Sequence, residues 1–84
     1  MDYEVLVSRK VEKFLTKVRQ QDYDRIRVAI RSLGRSPRPQ RCRKLRDIEG
    51  YRIRVGDYRI LYTVADDEAV VRVYRVGDRK DVYR

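Results

Sequence analysis

From Tyr51 to Tyr62 the chain reads Tyr-Arg-Ile-Arg-Val, then Gly-Asp, then Tyr-Arg-Ile-Leu-Tyr, and this stretch limits the possible fold more than any other. Side chains on a strand leave alternate faces, so Arg52 and Arg54 share one face while Tyr51, Ile53 and Val55 occupy the other. The pair Gly56-Asp57 is a turn signal between two β-prone runs. The segment is therefore expected to fold back as a hairpin and to bring Arg59 near Arg54 on the neighbouring strand. One face becomes apolar and the other collects guanidinium groups.

The rest of the chain alternates between the two periodicities. Tyr3, Val5 and Val7 alternate with Asp2, Glu4 and Leu6, which predicts a first strand, and Ser8 is suited to cap a helix behind it. Val11, Phe14, Leu15 and Val18 recur at helical spacing, predicting a helix from about Arg9 to Gln20. Asp22 is expected to cap a second helix with the buried stripe Ile26, Ala29, Ile30 and Leu33, stopped by Gly34 and Pro37. A basic loop carrying Pro37 and Pro39 follows, with Lys44 and Leu45 starting a short strand or a turn. Strands are then expected over Tyr51–Val55, Tyr58–Val64 and Val70–Val76, the last two separated by the acidic turn Asp66-Asp67-Glu68. The fold class is α+β: an N-terminal strand, an α-helical hairpin and a three-stranded antiparallel meander forming one sheet, with both helices on one face. The opposite face is left for the arginines of the meander. Tyr51, Tyr58 and Tyr62 are expected to pack within or at the edge of the strands.

A chain of 84 residues suits one domain, 1–84, with a modest core. Its net charge of +9 calls for an anionic partner, nucleic acid or an acidic protein. Of the 22 basic residues only Lys10, Lys13, Lys17, Lys44 and Lys80 are lysines, leaving seventeen arginines. Arginine presents a planar fork that matches phosphate bidentately, although thermophilic adaptation or a GC-rich genome enriches arginine as well. Arg9, Lys10, Lys13 and Lys17 fall on the solvent side of the first helix. Cys42 is the single cysteine and there is no histidine, so neither a disulfide framework nor a Cys/His zinc site is available, and Cys42 reads as an incidental thiol. The N-terminus alternates like a strand, so neither a leader nor a membrane span is expected. The expected setting is the cytoplasm, with no membrane partner.

The run KLRDIEGYRIRVGDYRILYTV, followed by VVRVYRVGDRKDVY, resembles the RelE family of toxin ribonucleases within the RelE/ParE superfamily, and the order of elements agrees along the whole chain. The resemblance implies a RelE-like fold and the toxin component of a type II toxin-antitoxin system. It implies a metal-independent endoribonuclease, without cofactor, that enters the ribosomal A site and cleaves mRNA, and that a RelB-like antitoxin holds inactive. Carried over position by position, it assigns catalysis to Arg54, Arg59, Arg79 and Tyr83, and RNA binding to Lys44, Arg46, Arg52 and Arg54. Tyr83 is the implied base, Arg59 and Arg79 stabilise the transition state, and Arg52 with Arg54 hold the substrate backbone and the leaving-group side.

This chain departs from the family in having Arg52 and Arg54 where RelE proteins commonly carry lysines. Arginine has a pKa above 12 and is a poor proton donor, so slower turnover is expected. ParE-like relatives poison DNA gyrase instead, and a degenerate toxin that only binds its antitoxin is the third reading. The presence of Arg59, Arg79 and Tyr83 together favours the nuclease.

Overall fold

The computed structural model describes residues 2–78. Strand β1 (Glu4–Val7) leads into helix α1 (Arg9–Leu15) and helix α2 (Gln20–Ser32), and these are followed by β2 (Arg43–Lys44), β3 (Tyr51–Val55), β4 (Tyr58–Ala65) and β5 (Val70–Asp78). One five-stranded sheet results, in the order β1-β5-β4-β3-β2. The meander β3-β4-β5 is antiparallel, as its short turns require, while β1 pairs parallel to β5 after the helical crossover. The two-residue strand β2 adds the fifth member through Arg43 opposite Arg52 and Lys44 opposite Tyr51.

The expected α+β architecture is the one observed, with two differences at the helix ends. Ser8 caps α1 as anticipated, accepting a hydrogen bond from the Val11 amide at 3.2 Å. The helix then stops at Leu15, short of Gln20, because the chain tightens at Thr16. The Thr16 hydroxyl donates to the Lys13 carbonyl at 2.7 Å, and the Lys17 amide bonds Phe14 instead of continuing the ladder. Helix α2 starts at Gln20 with Arg19 as its N-cap, and no side chain caps it. Asp22 is therefore not the cap: it lies in the first helical turn, where the dipole favours a carboxylate. It is 7% exposed, with Arg19 and Arg25 at 3.5 and 3.4 Å.

Both helices cover one face of the sheet. Val11 and Leu15 from α1 and Ile26, Ala29, Ile30 and Leu33 from α2 meet Ile53, Val55, Ile60, Tyr62, Val71, Val73 and Val76 in a single core. Tyr62 is fully buried and donates to the Pro37 carbonyl at 2.8 Å, so its one polar atom is satisfied inside the core. Its ring stacks on that of its cross-strand partner Tyr51, with centroids 5.8 Å apart. Tyr58 is half-buried beside Phe14. Gly56, at φ +59°, turns β3 into β4 in a conformation that an L side chain resists.

The loop between α2 and β2 is held by a clasp from Arg38. Its guanidinium reaches both oxygens of Asp66, at 2.7 and 3.2 Å, and the Tyr51 hydroxyl at 3.0 Å, while the Tyr3 hydroxyl donates to Asp66 at 2.6 Å. Arg38 first and Tyr3 second hold the Asp66 carboxyl down to about 2. No helix among the described residues is long and apolar enough to cross a membrane.

Candidate nucleic-acid interface

The face of the sheet away from the helices carries the site. Cross-strand partners share a face, so the register places Arg43, Arg52, Leu61 and Arg75 in one row across β2, β3, β4 and β5, and Arg54, Arg59 and Gly77 in the next. Arg54 and Arg59 are direct partners, which is the juxtaposition expected from the hairpin. Gly77 beside them contributes no side chain and is itself buried.

A β-bulge sets the composition of the first row. The β4–β5 register slips between Leu61, opposite Arg75, and Tyr62, opposite Val73, leaving Tyr74 as the extra residue. The bulge lets Val73 and Val76, an odd three residues apart, both reach the core, where they are 1% and 5% exposed. Tyr74 and Arg75 consequently both serve the open face. There Tyr74 packs on Leu45 and Leu61, a small apolar cluster separate from the main core.

These residues form a groove of about 630 Å³, with Leu45, Leu61 and Tyr74 for its floor and Arg43, Arg46, Arg52 and Arg75 around it, together with Lys44, Ile48 and the one carboxylate Asp47. The loop carrying Arg46 is closed by a hydrogen bond from the Leu45 amide to the Gly50 carbonyl at 2.9 Å. Gly50 sits at φ +130°, where an added Cβ would lie 2.7 Å from the Tyr62 carbonyl oxygen, so only glycine closes this loop without strain.

Ion pairs occur on both faces and leave cations of both without one: among the described residues Arg9, Lys10, Lys13 and Arg31 of the helices have none, while Arg72 of β5 pairs with Glu68 at 3.3 Å. On the helix side Arg19 and Arg25 pair with Asp22, and Arg27 pairs with Glu12. On the open face Arg46, Arg52, Arg54 and Arg75 have no ion pair among the described residues. Like charges gathered without counterions repel one another at a cost that an incoming polyanion removes.

Of the residues expected in the site, Arg52, Arg54 and Arg59 are brought together on β3 and β4, and Arg46 lines the groove with Arg52. Lys44 borders the groove, but its register partner is Tyr51, so Arg43 and not Lys44 shares the face of Arg52. Arg79 and Tyr83 lie outside the described residues. Arg43, Tyr74 and Arg75 were not anticipated. The odd spacing of Val73 and Val76 was the signal for the last two, because simple alternation cannot bury both.

Three tyrosines are pushed in the wrong direction to act as bases. Burial raises the Tyr62 phenol, desolvation and the Asp22 carboxylate raise Tyr58, and the bond to Asp66 raises Tyr3.

The chain matches, over residues 5–83, the family described as ParE toxin of type II toxin-antitoxin system, parDE. Solved structures share the fold, three among them as follows. The archaeal RelE of the RelE-RelB complex from Pyrococcus horikoshii is 25% identical with a TM-score of 0.82, covering 98% of this chain and 100% of that one. A chain of the toxin-antitoxin complex RelBE2 from Mycobacterium tuberculosis is 26% identical at a TM-score of 0.82, covering 96% of this chain and 95% of its own. A mutant of the E. coli toxin RelE in the free state is 26% identical at 0.80, with coverages of 98% and 88%.

Proposed function

This chain belongs to the ParE toxin family of type II toxin-antitoxin systems and has the RelE fold, and from that premise we propose that it is a ribosome-dependent mRNA endonuclease. The observation that carries the reading is the double row of arginines on the uncovered face, whose members Arg52, Arg54 and Arg75 have no carboxylate ion pair among the described residues. Guanidinium forks at strand spacing suit successive phosphates of a single RNA strand.

In the proposed reaction the 2'-oxygen of the nucleotide before the cut attacks the adjacent phosphorus. The bond to the 5'-oxygen breaks, leaving a cyclic 2',3'-phosphate on one fragment and a 5'-hydroxyl on the other. Arg59 and Arg79 stabilise the extra negative charge of the pentacoordinate phosphate, and Arg52 and Arg54 hold the backbone on the leaving-group side. Tyr83 takes the proton from the 2'-hydroxyl. An unperturbed phenol is ionised only about one part in a thousand at neutral pH, so nearby guanidinium charge has to lower its pKa for it to serve. Arg54 stabilises the departing 5'-oxygen by charge, and water supplies its proton, because a guanidinium donates poorly at neutral pH.

The same face suits an acidic RelB-like antitoxin segment, which by covering Arg52, Arg54 and Arg59 would exclude RNA. Primer-extension mapping on an mRNA being translated in vitro, with and without ribosomes, tests the reading. Ribosome-dependent cuts within codons are expected, with large losses for Arg79→Ala and Tyr83→Phe. Cuts unaffected by Tyr83→Phe would remove Tyr83 as the base. No cuts with toxicity persisting in cells would transfer the protein to gyrase or another target. No cuts and no toxicity would make it a degenerate toxin.

A further inference from the structure

The apolar floor of the groove is not needed for grasping phosphates. Tyr74, Leu45 and Leu61 form it inside a ring of arginines. The bulge that frees Tyr74 from the alternation of β5 also sends Arg75 to the same face, and bulges of this kind re-aim side chains beside active sites. An aromatic ring between guanidinium groups matches one chemical unit, a base flanked by its phosphates. A purely apolar ligand would leave the five cations Arg43, Lys44, Arg46, Arg52 and Arg75 with the single carboxylate of Asp47, and a phosphate alone would not use the ring.

We propose that this groove is a nucleobase subsite, in which one base of the bound RNA strand stacks on the Tyr74 ring while Arg52 and Arg75 take the adjoining phosphates. The inference rests on the proposed RNA substrate and adds to it a residue that reads the base plane. Tyr74 is a positioning residue. The row of Arg52, Leu61 and Arg75 lies two residues along the strands from the row of Arg54 and Arg59, which is about 7 Å. A base anchored in the first row therefore fixes which neighbouring phosphate reaches the second. Stacking is indifferent to much of base identity, since every base has a π-face, so the subsite sets register more than sequence.

The test is equilibrium binding of a short labelled single-stranded RNA, and of the same strand made wholly abasic, to the full chain at low salt. The variants are Tyr74→Leu, which keeps apolar packing on Leu45 and Leu61 but removes the ring, and Tyr74→Phe, which keeps the ring. Wild type is expected to bind the base-bearing strand about five- to a hundredfold more tightly than the abasic one, the range of a single stacked base. Tyr74→Leu should erase that preference without changing the salt dependence, and Tyr74→Phe should retain it. Arg75→Gln should instead weaken both strands alike and lower the salt slope by about 0.7.

Equal binding of the two strands by wild type would overturn the subsite even if Tyr74→Leu failed to fold, while leaving RNA as the substrate. An unchanged preference in folded Tyr74→Leu would overturn it too. Failure of wild type to bind either strand would also overturn the subsite, while the ribosome-dependent cleavage assay decides separately whether RNA is the substrate. Loss of antitoxin affinity in Tyr74→Leu with RNA binding intact would assign the groove to the acidic protein and contradict the proposal.

Discussion

The helix side and the open side of the sheet both carry arginines but arrange them differently, scattered over the helices on one side and in register across neighbouring strands on the other. Beneath the helices the strand residues are Ile53, Ile60, Val71 and Val73, all at most 1% exposed, and the helical cations Arg19, Arg25 and Arg27 are tied to Asp22 or Glu12. One register position away Arg52 and Arg54 project from the same strand onto the bare face with no acidic partner among the described residues. The two faces divide the work: the first holds the fold, and the second gathers guanidinium groups in register across β2, β3, β4 and β5. Arg59 and Ile60 are chain neighbours that belong to different halves of the molecule.

The largest test of that division is in the core. Ile60→Ala, at a site with no exposure, should cost about 2–5 kcal/mol of unfolding free energy, read from urea denaturation followed by circular dichroism. A loss below about 1 kcal/mol would mean that the covered face is not where stability resides. On the open face Arg59→Ala should lower single-turnover cleavage on programmed ribosomes by about a hundred- to a thousandfold, the usual loss of one transition-state charge donor. Retention of the wild-type rate would remove Arg59 from the chemistry.

Gly50→Ala links the two faces, because its new Cβ would crowd the Tyr62 carbonyl from the strained φ of +130°. About 1–3 kcal/mol of stability should be lost, together with RNA affinity as the Arg46 loop shifts. A variant as stable as wild type would show that the loop closes in another way. Arg52→Gln should leave the unfolding midpoint unchanged and reduce the slope of log affinity against log salt by about 0.7, and an unaltered slope would place the phosphates elsewhere.

The smallest effect concerns Asp66. Its folded pKa is depressed from 3.8 to about 2, so the unfolded chain takes up the proton first. The clasp with Arg38 therefore adds stability that is fully present above about pH 4 and lost as pH falls through about 2. Thermal midpoints of wild type and Asp66→Asn should differ slightly at pH 7 and converge toward pH 2. A gap independent of pH would show that the ionised carboxylate is not what matters.

The strands of the meander and the pairing of Arg54 with Arg59 were legible because period-two patterning and a Gly-Asp turn act locally. The helix ends were less so. Thr16 closes α1 through a bond to its own preceding turn, and Asp22 serves α2 from inside the first turn, choices between equivalent local patterns that tertiary packing decides. The parallel pairing of β1 with β5 is a long-range contact with no local signal. In the site, Arg52, Arg54 and Arg59 followed from alternation, whereas Arg75 and Tyr74 depend on a bulge that only the spacing of Val73 and Val76 betrays. Lys44 does line the groove, but a two-residue strand has no pattern from which to read its face.

The division between the faces is tested most directly at Arg54, exposed on β3 between buried Ile53 and Val55. Ribosome-dependent mRNA cleavage by Arg54→Gln should be measured alongside its urea midpoint. The account predicts a cleavage rate reduced about a hundredfold with the midpoint unchanged. Wild-type cleavage by a folded Arg54→Gln protein would contradict it.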